Sequence, residues 1–219
     1  MKNLAIIPAR GGSKRIPRKN IRDFLEKPII VYSIETALQS CLFDEIMVST
    51  DDEEIASLSL QYGAKVPFIR NEQTSTDNAT LCDVIEEVKG MYKEQGVFFD
   101  NICCILPTAP LLTIDMLKNG LHLLIEKDVD SVRPVVKFGY PIQRSLRMYE
   151  DGLVNFFYPQ YARTPSQDLE SVYYWMKSSV GLVGEKRYAF EIQEIYCQDI
   201  DNEVDWKLAE LKYKALHKD

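Results

Sequence analysis

Histidine is scarce in this chain. Two histidines occur in 219 residues, His122 and His217, and neither has a second histidine or a cysteine at ligand spacing. That argues against a histidine-based catalytic triad and against a zinc hydrolase. His122 is expected on a helix surface and His217 in a frayed tail. The five cysteines are odd in number, form no C-x-x-C pair and include adjacent Cys103 and Cys104 in an apolar stretch. They read as buried reduced thiols, not as a disulfide framework or a zinc site. Long apolar runs are missing too, since nothing approaches the roughly 20 residues that a membrane-spanning helix needs. The short apolar start runs into arginines instead of a small-residue cleavage site, so no secretory leader is expected. These absences point to a cytoplasmic protein without a membrane partner. Basic excess is also lacking: 26 Lys and Arg against 33 Asp and Glu leave a net charge of −7. A nucleic-acid partner usually requires a wide basic face, so none is expected. No internal repeat and no low-complexity segment interrupts the chain.

What is present is a regular alternation of apolar patterns. Residues 4–9 read as a buried strand, and 29–41 as a helix with Ile30, Ile34, Ala37, Leu38 and Cys41 at helical spacing. Residues 45–49 read as a strand. Asp51 and Asp52 open a helix that runs through Tyr62, with Gly63 as its C′ residue. A short strand is expected at 66–69. A helix at 79–94 has Val84, Ile85, Val88 and Met91 facing in. A strand follows at 102–106, then a helix capped by Thr113 carrying Leu117, Leu121, Leu124 and Ile125, then a strand at 131–136. Such alternation implies an α/β fold with a mainly parallel sheet and right-handed crossovers. The pattern breaks between about 137 and 184, where "FGYP", "NFFYPQYARTPSQD" and "VYYW" suggest an inserted β-rich lobe within a single domain of 219 residues. Its aromatics suit closure over a ligand or contact with a second subunit. A strand at 194–197 and a helix with Val204, Leu208 and Leu211 on one side complete the chain.

Ligands in such sheets bind beyond the carboxyl ends of the strands, and the first of these loops is unusual. "ARGGSKRIPRKN" packs Gly11, Gly12, Ser13 and five cations, Arg10, Lys14, Arg15, Arg18 and Lys19, directly after the first strand. Glycines permit close approach or positive φ, successive N–H groups form an anion nest, and the cations neutralise phosphate oxygens. A local basic loop on an acidic chain points to a small polyanion rather than to a solvated basic turn. Neither G-x-x-x-x-G-K-[ST] nor G-x-G-x-x-G occurs.

Three further segments fall at the same edge. In an extended Asp199-Ile200-Asp201 both carboxylates point to one side and suit a hard cation such as magnesium. Alone, the pair reads more readily as a cap on the next helix. Beside a triphosphate loop the balance reverses, because phosphoryl chemistry usually needs a divalent ion. The loop "RNEQTSTDNAT", from Arg70 to Thr80, suits equally a turn capped by Asp77 or Asn78 and recognition of a base. "LPTAP", 106–110, is either a rigid turn or a wall of the substrate pocket.

The combined motifs resemble the acylneuraminate cytidylyltransferases, the CMP-sialic acid synthetases. The likeness runs from "IIPARGGSKRIPRKNI" through "STDDEEIA", "STDNAT", "PTAP" and "SQDL" to "DIDNEVDWKLAELKYK", nearly the whole chain. The opening and the ending look most like the branch that acts on pseudaminic acid. The resemblance implies a Rossmann-like nucleotidyltransferase fold, a homodimer, Mg²⁺, and transfer of CMP from CTP to a nonulosonic acid with release of pyrophosphate. It implies CTP contacts at Arg10, Gly11, Gly12, Ser13, Lys14, Lys19, Asn20, Arg70 and Ala79. Metal ligation falls to Asp199 and Asp201, and the catalytic set is Arg10, Lys14, Lys19, Asp199 and Asp201. Thr108, Gln167 and Asp168 fall near the sugar. The chain departs from the family around that sugar. Leu106 stands where sialic acid synthetases commonly carry Gln, Pro165 replaces an arginine before S-Q-D-L, and 173–184 lacks the usual aromatic run. N-acetylneuraminate, legionaminate and the eight-carbon acid of lipopolysaccharide are therefore alternative acceptors. A CTP-binding regulator without turnover is the alternative of a different class.

Overall fold

The computed structural model describes residues 1–13, 15–136, 146–148, 153–156, 173–181 and 186–217. Lys14, Gln167 and Asp168 lie outside the described residues. The chain opens with β1 (Asn3–Pro8), a nearly all-buried run, as expected for a central strand covered on both faces. Two short strands, β2 (Asp23–Phe24) and β3 (Lys27–Pro28), form a small hairpin before α1 (Ile29–Ser40). Then come β4 (Glu45–Ser49), α2 (Glu53–Gln61), α3 (Leu81–Glu94), β5 (Asn101–Ile105), α4 (Ile114–Glu126) and β6 (Ser131–Val136). Strands β7 (Leu146–Met148) and β8 (Val154–Phe156) pair with each other, and β9 (Tyr173–Lys177), β10 (Arg187–Ile192) and α5 (Glu203–Leu216) follow.

Six strands make one sheet in the order β10-β6-β9-β5-β1-β4. β1 pairs parallel with β4 and β5, and β6 parallel with β10. β9 alone runs antiparallel, wedged between β5 and β6. The segment read as an inserted lobe thus rejoins the central sheet at Tyr173, before its expected end at 184. Trp175 is the reason: it is fully buried, stacks on Phe43 and donates its indole N–H to the Leu117 carbonyl at 3.0 Å. The expected strand at 194–197 is instead a single 3₁₀ turn, Glu194–Tyr196, and the true strand lies earlier, at β10. No strand forms at 66–69. Only Lys65 bridges to Met47 there, because Pro67 has no N–H to continue a ladder.

Caps explain the helix starts. Asp52 accepts from the Glu54 and Ile55 amides to begin α2, and Thr113 accepts from Met116 to begin α4. α3 starts after Thr80, which forms a capping box with Asp83, so neither Asp77 nor Asn78 is the cap. Gly63, at φ 88°, ends α2 as expected. The in-facing residue late in α3 is Tyr92 rather than Met91. On α5 the burial is the reverse of the pattern read from sequence. Trp206 and Ala209 face the core, while Val204, Leu208 and Leu211 are exposed.

Helices α1, α2 and α4 cover one face of the sheet over Ala5, Ile7, Val48, Cys103 and Ile105. α3 covers the other face over Leu4, Ile6, Met47, Ile102 and Cys104. Burial pushes the thiols of Cys103 and Cys104 up, Cys104 to about 12, so both stay protonated. Cys41, by contrast, is exposed at the end of α1. From β1 the chain crosses to β4 on one side and then returns to β5 on the other. The carboxyl ends of these three strands therefore flank a switch point, which opens a crevice.

Candidate functional site

The first loop continues from β1 into this crevice. The Ala9 amide donates to the Ser49 carbonyl at 2.9 Å and carries the ladder one residue past Pro8. The Gly11 amide then donates to Asp51 Oδ1 at 2.9 Å. A side chain at Gly11 would place its Cβ 2.6 Å from Asp52 Oδ2, whereas one at Gly12 would meet nothing within 4 Å. The two glycines therefore differ in purpose. Gly11 is needed for close approach to the start of α2, and the left-handed turn of the loop falls not on either glycine but on Arg18, at φ 55°. Buried Asn20 donates to the Arg10 carbonyl at 2.9 Å and closes the loop on itself.

The described cations of the loop separate into two groups. Arg18 turns away to pair with Asp52 and Glu54, and it holds the Asp52 carboxyl below the ordinary range. Arg10, Arg15 and Lys19 face the crevice. Arg10 pairs with Asp77 at 2.7 Å, Arg15 pairs with Asp201, and Lys19 Nζ donates to the Ile200 carbonyl at 2.7 Å. Burial lowers the pKa of Lys19, and attraction to Asp201 and Asp199 opposes it.

The polar loop comes after α2 and starts beside the carboxyl end of β4. The Arg70 amide donates to the Thr50 carbonyl at 2.9 Å, and its guanidinium is buried against Ser49, with Nε donating to Ser49 Oγ at 2.9 Å. Burial lowers the pKa of Arg70, with Asp51 and Glu87 pulling it back. Glu87 of α3 reaches up to accept from the Asn71 amide at 2.8 Å and from the Thr74 hydroxyl. These bonds tie the loop to α3.

Asp199 and Asp201 flank Ile200 in irregular chain that bends at Asp201, not in a strand. Ile200 is buried with Ile16, Phe24, Ile29, Tyr32 and Trp206. This apolar cluster draws the segment before α5 against the first loop, across 184 positions of sequence between Ile16 and Ile200. The cap of α5 is Asn202, whose side chain accepts from the Val204 and Asp205 amides. Neither aspartate is consumed as the cap, so the bland reading of the pair does not apply.

The result is a cleft of about 680 Å³. Of the residues singled out from sequence, Arg10, Ser13, Lys19, Asn20, Arg70, Ala79, Thr108, Asp199 and Asp201 all line it. Gly11 and Gly12 do not: Gly11 packs behind the wall on Asp52. Arg15, Thr74, Thr76 and Asp77 also line the cleft; the sequence placed them in the basic and polar loops but assigned them no individual contact. Asp77 and the threonines belong to a loop that local sequence left ambiguous, and Glu87 carries no local signal because it acts from a helix beneath.

The family model described as Cytidylyltransferase matches residues 4–155. The chain belongs to the cytidylyltransferase family. The pseudaminic acid cytidylyltransferase of Campylobacter jejuni is 40% identical, with 99% of this chain and 98% of that one aligned. The CMP-N,N'-diacetyllegionaminic acid synthase of Legionella pneumophila is 32% identical, over 99% of this chain and all of that one (100%). Among solved structures, a CMP:2-keto-3-deoxy-manno-octonic acid synthetase complexed with CTP superposes with a TM-score of 0.71 at 18% identity, covering 96% of this chain and 98% of the other. That likeness speaks for the fold of this cytidylyltransferase, a nucleotidyltransferase fold with a mostly parallel sheet. Among the described residues, no helix is long and apolar enough to cross a membrane.

Proposed function

We propose that this cytidylyltransferase transfers CMP from CTP to the anomeric hydroxyl of a nonulosonic acid, pseudaminic acid, and releases pyrophosphate. The observation that carries the reading is the meeting, in one cleft, of the first-loop cations with the Asp199–Asp201 pair and the Arg70–Thr80 loop. Supporting the acceptor is the 40% identity to the Campylobacter jejuni pseudaminic acid enzyme.

In this reading the sugar hydroxyl oxygen forms a bond to the α-phosphorus as the bond to the bridging oxygen breaks, and the hydroxyl proton leaves to water. Arg10 and Lys19, with Lys14, hold the β- and γ-phosphates and stabilise the leaving pyrophosphate. Ser13 and Asn20, which line the cleft, complete the phosphate side. Arg70 and Ala79 take the cytidine side, and Thr108 the sugar side, together with Gln167 and Asp168. Asp199 and Asp201 would hold Mg²⁺, which supplies charge neutralisation at the α-phosphate. The donor set fits: both are hard carboxylates lining the cleft, and magnesium commonly takes one or two carboxylates plus phosphate oxygens. Among the described residues no group of three or more His, Cys, Asp or Glu is gathered for a metal; phosphate oxygens of the bound nucleotide would complete the ligand set. A homodimer belongs to the same reading, carried by the family resemblance, as does a cytoplasmic setting where CTP is made.

Pyrophosphate release from CTP with Mg²⁺ tests it, with pseudaminate, N-acetylneuraminate and legionaminate compared as acceptors. Release with pseudaminate in clear preference is the expected result. Release with another keto acid alone moves the acceptor. CTP binding without release on any acceptor overturns the enzyme in favour of a regulator.

A further inference from the structure

We propose that Arg15 is a counter-cation that holds Asp201 until a triphosphate takes its place, so that nucleotide arrival frees a metal-binding carboxylate. The inference rests on the CTP reading above. The Arg15 guanidinium pairs with Asp201 across the cleft, and both residues line it. Their backbones are fixed by neighbours in sequence: Ile16 and Ile200 are each 1% exposed and share one apolar cluster. Their charged ends are wet, with side chains 71% and 45% exposed. A pair on rigid supports with exposed tips forms readily and breaks cheaply.

Among the described residues, the other cations of the cleft are engaged elsewhere. Lys19 donates to the Ile200 carbonyl, Arg10 pairs with Asp77, and Arg70 is buried on Ser49. Among the described residues, Arg15 is thus the cleft cation whose ion-pair partner is a proposed metal ligand. A guanidinium and a divalent cation compete for that carboxylate. A triphosphate, which carries more charge than one carboxylate and suits bidentate contact, is the better partner for Arg15. Binding of the nucleotide and of the cation is therefore coupled, and the coupling is reciprocal. Arg15 is a positioning residue in this scheme.

The test is Mn²⁺ titration of the nucleotide-free protein, with free Mn²⁺ read by its paramagnetic resonance signal, for wild type, Arg15→Ala and Arg15→Lys. The titration is repeated with a saturating CTP analogue that cannot release pyrophosphate. Without nucleotide, Arg15→Ala is expected to bind Mn²⁺ more tightly by up to about fivefold, the ceiling for a pair this exposed. Arg15→Lys, which keeps the charge, stays near wild type. With the analogue bound, the advantage of Arg15→Ala disappears. No tightening in Arg15→Ala, or an advantage that persists unchanged with the analogue, overturns the coupling while leaving the CTP reading intact. Failure of the wild type to bind the analogue overturns both.

Discussion

Replacing Gly11 with alanine tests how the first loop is held, and the neighbouring Gly12 supplies the control. The Cβ of Gly11→Ala would lie 2.6 Å from Asp52 Oδ2 and 3.0 Å from Asp52 Cβ. Asp52 has little freedom to retreat. Its Oδ1 accepts from the Glu54 and Ile55 amides at 3.0 Å each, and Arg18 grips both its oxygens. If Asp52 moves, α2 loses its N-cap, which costs about 1 kcal/mol. The half-exposed Arg18 pair adds up to about 1 kcal/mol. If the loop moves instead, it gives up the bond from Gly11 to Asp51 and shifts the phosphate side of the cleft. Either route costs roughly 1–3 kcal/mol, and each kcal/mol corresponds to about 2–4 °C of melting temperature in a chain of this size. Gly12→Ala meets open space and is expected to be neutral or slightly stabilising, since alanine restricts the unfolded chain. Urea denaturation of both variants beside the wild type, with slopes compared, measures the difference. Gly11→Ala within about 0.5 kcal/mol of wild type, or Gly12→Ala the worse of the two, would refute the reasoning.

Two other predictions concern what holds the site. Ile200→Ala removes a fully buried side chain from the cluster under both Arg15 and Asp201 and should cost about 2–5 kcal/mol together with weakened Mn²⁺ binding. A stable variant with unchanged metal affinity would show that the cluster does not position the pair. Asp52→Asn keeps the cap but removes the charge. The Asp52 carboxyl is held below its unfolded value of about 3.9, chiefly by the hydrogen bond from Arg18. Its stabilisation is complete above that value and drains away as the pH falls through the folded-state pKa. The stability gap between wild type and variant should therefore narrow below about pH 4. A gap as wide at pH 3 as at pH 7 would assign the difference to packing.

The sequence exposed the frame and the cleft because both rest on local pattern. Continuous apolar runs betrayed β1, β4 and β5, whose residues are buried on two faces, and the loops after them were read at the correct end of the sheet. Where the reading went astray, a contact distant in sequence decides the outcome. β9 is antiparallel because Trp175 finds its pocket beneath α4 and beside Phe43, which periodicity cannot express. β10 sits at a sheet edge, so Tyr188 and Glu191 are exposed and the apolar signal is diluted. α5 shows two apolar sides, and the smaller, Trp206 and Ala209, faces inward because Ile16 of the first loop and Phe24 of β2 meet it. Gly11 was legible as a glycine needed for close approach, yet what it approaches is a carboxylate of α2 rather than a ligand.

The most direct test of the account is turnover by Asp199→Asn and Asp201→Asn. The measurement is pyrophosphate release from CTP and pseudaminate at saturating Mg²⁺, with CTP binding measured in parallel. Both variants are expected to stay folded and to bind CTP, because Asn202 caps α5 and Ile200 remains in its cluster. Turnover should fall by about 10²-fold or more, the scale for removing an electrostatic stabiliser of a reacting group. Turnover equal to wild type in both variants would contradict the claim that the carboxylate pair and the basic loop form one catalytic cleft.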